Sequence, residues 1–430
     1  MQASIRPGRL SGGLDVPGSK SHTIRAILIA ALADGESRLV RPLDSADARS
    51  CIEAARRLGA RIRERGGDLL VRGTAGRPRI PDGVVDVGNS GTTLYFAAAI
   101  AALADQPIAF TGDSQIQARP AGNLLKSLED LGARVSVRGN NGCAPFSVQG
   151  PLKGGRTVIA CPTSQYLSSL LLAAPLAAGG SEIEVSLLNE RPYVEMTLRW
   201  LAETGIRLER RGLEYYSIPG RQAYASFERV IPADFSSAAF FLCAAAVTRS
   251  RLVLRGLDMA DSQGDKEVVG ILERMGCRVS IDGLQLAIEG GPLRGIEVDM
   301  NAIPDALPAL AAAACYAEGE TRLVNVAQAR LKETDRLKVM AAELAKMGAD
   351  IEELPDGLVV RGKAAGSPLK GALVDGRGDH RVVMALAVAG LAADGETVID
   401  SAEAAAVTYP GFFETLVNLG ISARIGGRTP

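Results

Sequence analysis

An α/β protein of two domains, built from six copies of one strand-and-helix unit with buried helices, is what this sequence predicts. Three observations carry that prediction. The first is a repeat. A helix-like segment that ends in glycine and runs into a short strand recurs as RRLGARI, EDLGARV, AETGIRL, ERMGCRV, AKMGADI and VNLGISA. Its glycines are Gly59, Gly132, Gly205, Gly276, Gly348 and Gly420, spaced by 73, 73, 71, 72 and 72 residues. The second is a turn of Pro, Gly, Ser, Asn or Asp upstream of each glycine: VPGSKSH, VGNSGTT, CPTSQYL, PADFSSA, IPDALPA and GRGDHRV. The third is composition: 430 residues, 47% apolar and 23% charged, are enough for a large core and for two or more domains.

The elements of one unit follow in order. An apolar strand enters the turn, and an alanine-rich helix leaves it. Helices such as AILIAALA, SSLLLAAPLAA, ALPALAAAACYA and VVMALAVAGLAA are apolar on every side, so they must be buried. A strand and an outer, amphipathic helix come next, as in CIEAARRLG, and the glycine fits a helix C-terminus with positive φ. One or two further strands close the unit. Three units form each domain, with sheets outside and helices inside. The strand near SIRPGRLSGGLDV precedes unit one, and unit six ends short. Residues 1–14 therefore complete the domain of residues 230–430, and residues 15–229 form an inserted domain. The chain crosses over near ASFERVIPAD.

Composition also excludes several functions. A net charge of −1 and 4% aromatics leave neither a basic field nor a base-stacking surface for nucleic acid. The six cysteines form no CxxC pair, and His22 and His380 are the two histidines. A metal site and a disulfide framework are not expected. Free buried thiols in a reducing cytoplasm are. The N-terminus lacks the apolar run of a signal peptide, and no stretch has about 18 apolar residues in a row. The reading is a soluble intracellular protein without a membrane partner.

Each turn lies at the N-terminus of a buried helix, where free N–H groups and the helix dipole favour an anion. The turns hold Ser19, Lys20, Ser21, Asn89, Ser90, Gly91, Thr92, Thr163, Ser164, Gln165, Asp234, Ser236, Ser237, Asp305, Asp379, His380 and Arg381. Capping alone needs Ser or Asp but not Lys20, Gln165 or Arg381. Repeat symmetry is expected to place the turns of one domain on the same edge; if the two domains face each other, the turns converge on one cleft, a site for anionic small molecules. GLDVPGSKS is not a nucleotide-binding P-loop, because Ser19 separates Gly18 from Lys20. One charged stretch, RLKETDRLKV, reads as a helix with Lys332 and Arg336 on one side of a turn. Two cations so placed repel unless anions sit between them, and Glu333 lies between them as a candidate proton relay.

VPGSKSHTIRA, GNSGTT, TGDSQIQARP, TSQYLSSLLLAAPLA, MNAIPDA, RLKETDRL and GDHRVVMALA, in this order and spacing, resemble the 5-enolpyruvylshikimate-3-phosphate synthases of the enolpyruvyl transferase superfamily. The resemblance runs over essentially the whole chain. It implies an inside-out α/β barrel of two domains, each of three βαβαββ units. It implies transfer of the enolpyruvyl group of phosphoenolpyruvate to the 5-hydroxyl of shikimate 3-phosphate, in the pathway to chorismate and aromatic amino acids. No metal or organic cofactor is implied, and the family suggests a cytoplasmic monomer that is a target of glyphosate. Position by position, Lys20, Ser21 and Arg25 would line the junction of both substrates. Thr163 and Ser164 would hold the acceptor phosphate, with Gln165 against the ring and Tyr193 beside them. Asp305 would be the base at the acceptor hydroxyl. Gln328 and Lys332 would contact the acceptor. Asn89, Gly91, Arg119, Gln165, Arg336 and Arg381 would bind phosphoenolpyruvate. Glu333 would serve its methylene carbon, and Lys20 would steady charge in the tetrahedral intermediate. Guanidinium forks suit a carboxylate and a phosphate better than ammonium groups do.

The chain departs from the family pattern in four places. Tyr95 stands where an arginine is usual, Val407 where a lysine is usual, Glu190 where a serine is common, and Gln328 where an asparagine is common. The first two remove cations from the phosphoenolpyruvate side, and Glu190 adds an anion near the acceptor phosphate. A different acceptor and a non-catalytic ligand-binding homologue are the alternatives. Transfer to a UDP-sugar is opposed by the absence of a cysteine in GDSQIQARP.

Overall fold

The protein is described from a computed structural model, which covers residues 1–79, 83–138, 142–362 and 369–426. Helices alternate strictly between two roles along the chain. The first set is α1 (Lys20–Leu32), α2 (Ala46–Arg57), α3 (Gly91–Ala101), α4 (Gly122–Asp130), α5 (Ser164–Ala173) and α6 (Arg191–Glu203). The second is α7 (Phe235–Thr248), α8 (Glu267–Met275), α9 (Leu307–Ala314), α10 (Arg336–Lys346), α11 (His380–Gly390) and α12 (Phe412–Asn418). The odd-numbered helices are buried almost throughout; α7, α9 and α11 bury every residue. The even-numbered helices bury one face, as α2 does with Ala48, Cys51, Ile52, Ala54 and Ala55. Alanine makes the buried arrangement possible: small side chains let α7, α9 and α11 pack on one another at close range. The six repeat glycines all have positive φ, between 84° and 118°, just past an outer helix. A residue with a Cβ is strained in that conformation.

The chain divides into two compact units, with cuts after Pro17 and after Ile231. The contiguous unit is Gly18–Ile231, and the composite unit joins Met1–Pro17 to Pro232–Pro430. Among the described residues each unit holds three four-stranded sheets, and each sheet combines one parallel pair with antiparallel partners. The connections reveal an exchange. Gly13–Asp15 leads into α1 of the contiguous unit but pairs in parallel with Arg251–Arg255 of the composite unit. Glu228–Val230 leads toward α7 of the composite unit but pairs in parallel with Glu36–Val40 of the contiguous unit. The sixth sheet is finished by the chain's first strand, Gln2–Ile5, which lies antiparallel between Thr397–Asp400 and Ala423–Gly426.

Two separate cores result, one per unit. A fully buried Leu, Ile or Phe contributes on the order of 2–3 kcal/mol. Exposed ion pairs such as Arg49–Asp44 are screened by solvent and add little, so apolar burial dominates. All six cysteines are free thiols, five of them buried, and burial raises their pKa, Cys161 to about 12. His22 belongs to a core as well: its Nδ1 accepts the indole N–H of Trp200 at 3.0 Å.

Candidate active site

In the contiguous unit the candidate residues gather at the N-termini of α1, α3 and α5. Ser19 precedes α1 without a capping hydrogen bond from its hydroxyl. Lys20 follows, its ammonium 3.2 Å from the Asp47 carboxylate at the start of α2. Arg25, one turn further, is 2% exposed. Its Nε donates to Thr197 Oγ1 (2.9 Å), Nη1 to the Ser21 carbonyl (3.0 Å) and Nη2 to the Tyr193 carbonyl (2.9 Å). Its carbon Cζ lies 5.2 Å over the Phe96 ring. Burial pushes this guanidinium down to about 10. Arg25 fastens Ser21 and Tyr193 to one another through their backbones.

At α3, Ser90 is the N-cap, accepting the Thr93 N–H at 3.4 Å. The Asn89 amide donates to Asp113 and Gln115. Gly91 has a steric reason to be glycine: a Cβ there would lie 2.2 Å from Nη1 of the buried Arg119. Tyr95 meets Tyr166 edge-to-face at 5.0 Å, and both hydroxyls donate to the Pro120 carbonyl. Burial pushes the Tyr95 phenol up to about 12. This tyrosine pair anchors the segment carrying Arg119. Gln165 ties α5 to α3 by donating to Thr92 Oγ1 at 2.6 Å.

The start of α5 holds an anion already. Glu190, 2% exposed, directs Oε2 at the Ser164 N–H (3.1 Å), the Ser164 hydroxyl (2.8 Å) and the Thr163 hydroxyl (3.1 Å). Its backbone is left-handed, with φ 59° and ψ 41°, at the entry to α6.

In the composite unit the centre is Arg336, 1% exposed. Its Nε donates to Asp379 Oδ2 (2.8 Å), Nη1 to Asp305 Oδ1 (2.8 Å), and Nη2 to Glu333 Oε2 (2.5 Å) and Asp379 Oδ1 (3.2 Å). Arg381 Nη2 donates to the other oxygen of Asp305 at 2.7 Å. Asp379 is also the N-cap of α11, accepting the Arg381 N–H at 2.9 Å. Burial alone would lower the Arg336 pKa; the charges of Asp379, Glu333 and Asp305 outweigh it and hold the group firmly protonated. Close by, Asp265 is buried and accepts the Ser236 hydroxyl. Burial first, then the Asp305 charge, raises its pKa to about 7.

The geometry corrects the sequence reading of RLKETDRLKV. Ala327–Leu331 is a 3₁₀ turn, Lys332 follows it in an extended conformation (φ −88°, ψ −153°), and α10 begins only at Arg336, capped by Asp335. Lys332 and Arg336 are therefore not neighbours on one helix turn. Arg336 needs no substrate to relieve it, because three carboxylates of its own unit surround it. Arg330 pins the 3₁₀ turn through Asp335, Glu353 and the Leu354 and Pro355 carbonyls. Gln328 is buried and donates to the Asn301 carbonyl at 3.1 Å. Val407 is half-buried at the end of the 3₁₀ segment Ala402–Val407.

Sequence reasoning did not single out Asp47 or Asp265, and treated Asp379 as one of many caps. An acidic residue two positions before an arginine at a helix start, as in Asp379-His380-Arg381, was the available signal. Ligand atoms of Glu333, Asp379 and His380 lie within 4.8 Å of one another. Arg336 Nη2 already bridges the two carboxylates, so a metal ion entering there would meet a guanidinium.

Two units of three repeats with buried helices, one unit carrying paired guanidinium and carboxylate groups, have the architecture of the enolpyruvyl transferases. The family profile described as EPSP synthase (3-phosphoshikimate 1-carboxyvinyltransferase) matches residues 5–416. The 3-phosphoshikimate 1-carboxyvinyltransferase of Acetivibrio thermocellus is 52% identical over 420 residues, which is 98% of either chain. That of Methanocella arvoryzae is 44% identical, covering 99% of this chain and all of its own. A solved EPSP synthase from Acinetobacter baumannii superposes with a TM-score of 0.81 at 30% identity, covering 99% of this chain and 100% of that one. The chain belongs to the EPSP synthase family.

Proposed function

We propose that Asp305, Glu333 and Lys20 carry the chemistry of this chain, with residues of both units taking part. The enzyme is a carboxyvinyl transferase of the shikimate pathway, moving the enolpyruvyl group of phosphoenolpyruvate to the 5-hydroxyl of shikimate 3-phosphate and releasing phosphate. The observation that carries the assignment of roles is that one carboxylate, Asp305, is held between Arg336 and Arg381. A carboxylate for the acceptor hydroxyl and two cations for an anionic donor thus lie in one place.

In this reading Asp305 takes the proton of the acceptor hydroxyl as its oxygen bonds to C2 of phosphoenolpyruvate. Glu333 gives a proton to the methylene carbon, and Lys20 stabilises the charge of the tetrahedral intermediate. Glu333 then takes the proton back while the C2–O bond to phosphate breaks, and the departing phosphate takes the proton held by Asp305, so atoms and protons balance. Arg119, Arg336 and Arg381 bind the carboxylate and phosphate of phosphoenolpyruvate, and Asn89 and Gly91 form the loop around it. Ser21, Thr163, Ser164, Gln165, Tyr193, Gln328 and Lys332 bind the acceptor. Arg25 joins them at the acceptor and also holds Ser21 and Tyr193. The reading includes a cytoplasmic monomer that uses no metal or organic cofactor and binds glyphosate in place of phosphoenolpyruvate. No described helix is long and apolar enough to cross a membrane. Purified protein is expected to release phosphate from phosphoenolpyruvate only when shikimate 3-phosphate is added. A phosphate assay that shows no release with both substrates present would sink the reading.

A further inference from the structure

We propose that Glu190 is a specificity-determining residue, a tethered carboxylate that occupies the anion seat at the start of α5 and must be displaced by the acceptor's 3-phosphate. The inference rests on the reading that Thr163 and Ser164 hold that phosphate. Three donors converge at this helix end, the Ser164 N–H and the hydroxyls of Ser164 and Thr163, and all three go to one oxygen, Glu190 Oε2. Free N–H groups at a helix N-terminus hold an anion well, and a buried carboxylate is tolerated only where donors such as these satisfy it. Glu190 thus meets the chemical requirements of a bound anion while being part of the chain.

A phosphate cannot share those donors with the carboxylate, because two anions at contact distance repel strongly. Binding the phosphorylated acceptor therefore includes moving Glu190 out of a buried, triply bonded position. The residue also sits in a left-handed backbone conformation at the first step into α6. Its Oε2 reaches the donors of α5 from there, a seat that the shorter side chain of a serine at this position would not fill. The consequence is weaker binding of the phosphorylated acceptor than the same helix end would give beside a neutral residue. The 3-phosphate is the part of the acceptor that Glu190 opposes, so the effect falls on acceptor affinity and not on phosphoenolpyruvate affinity.

The test measures shikimate 3-phosphate binding by calorimetry, together with steady-state kinetics, in Glu190→Gln, Glu190→Ser and Ser164→Ala. Glu190→Gln keeps an oxygen for the three donors and removes the charge, so it preserves the fold if Glu190→Ser does not. Removing the charge is expected to tighten acceptor Kd and KM by about tenfold, with kcat and the phosphoenolpyruvate KM moving far less, while Ser164→Ala weakens acceptor binding. Unchanged or weaker acceptor binding in both Glu190 variants, with Ser164→Ala still weakening it, would overturn the proposal and leave the phosphate seat in place. Acceptor binding indifferent to Ser164→Ala and Thr163→Ala would remove the seat itself, and the proposal with it.

Discussion

The buried helices of the contiguous unit begin on hydroxyls, whereas those of the composite unit begin on aspartates. Ser19, Ser90 and Thr163 precede α1, α3 and α5. Asp234 and Asp379 cap α7 and α11, and Asp305 lies in the 3₁₀ turn that opens α9. One architecture therefore carries opposite local charges. Hydroxyl caps leave the positive helix ends open to an outside anion. Aspartate caps cancel those ends internally, and two of the three then hold guanidiniums. The composite unit offers anions its arginines, and the contiguous unit offers them helix ends with Lys20 and Arg119. Glu190 is the exception that makes α5 resemble the other unit.

The largest test of this contrast is Arg336→Ala. Stripping the cation leaves three carboxylates facing each other, at a cost of about 3–5 kcal/mol in stability. The same change is expected to lower kcat/KM by roughly a thousandfold. Urea unfolding and steady-state kinetics read both effects, and a fully stable variant would break the contrast at its centre.

A second test sits in the contiguous unit. Gly91→Ala places a Cβ against Arg119 and is expected to raise the phosphoenolpyruvate KM by about tenfold or more, with stability little changed. An unaltered KM would mean that Arg119 moves aside without consequence.

A third test, Asp265→Asn, is read as pH dependence. The folded pKa of Asp265 is raised to about 7, above its unfolded value near 3.8. Between those values the folded state holds a proton that the unfolded state has lost, so stability falls as pH rises through that window and levels off above 7. The asparagine variant lacks this slope. It should gain on the wild type by about 1–3 kcal/mol between pH 5 and pH 8, measured as the difference in unfolding free energy. Parallel pH profiles would remove Asp265 from the acidic cluster.

Much of this was readable from the chain because repetition amplifies weak signals. Each helix-ending glycine alone says little, but six at one period mark the units, and alanine-rich apolar segments can only be buried. Arg336, Arg381 and Asp305 were found through their motifs. Other features have no local code. Whether Lys332 joins α10 depends on Asp335 capping the helix three residues before Lys338. A three-residue strand such as Gly13–Asp15 carries too little pattern to name its partner. The burial of Arg25 and the direction of Glu190 are set by neighbours from α6 and α5, distant in sequence. The roles of Tyr95 and Tyr166 follow from a shared acceptor, the Pro120 carbonyl, which no spacing rule reveals.

The placement of Gln2–Ile5 has a bearing on how the molecule is made. During synthesis the contiguous unit has all its strands once residue 231 has left the ribosome, and it can fold as a domain while the rest is still being translated. The first strand must wait. Its partners, Thr397–Asp400 and Ala423–Gly426, are made only after the whole contiguous unit, and the Met1 ammonium closes on Glu403 at 2.7 Å. Gln2–Ile5 is thus made before the contiguous unit and finds its partners after it.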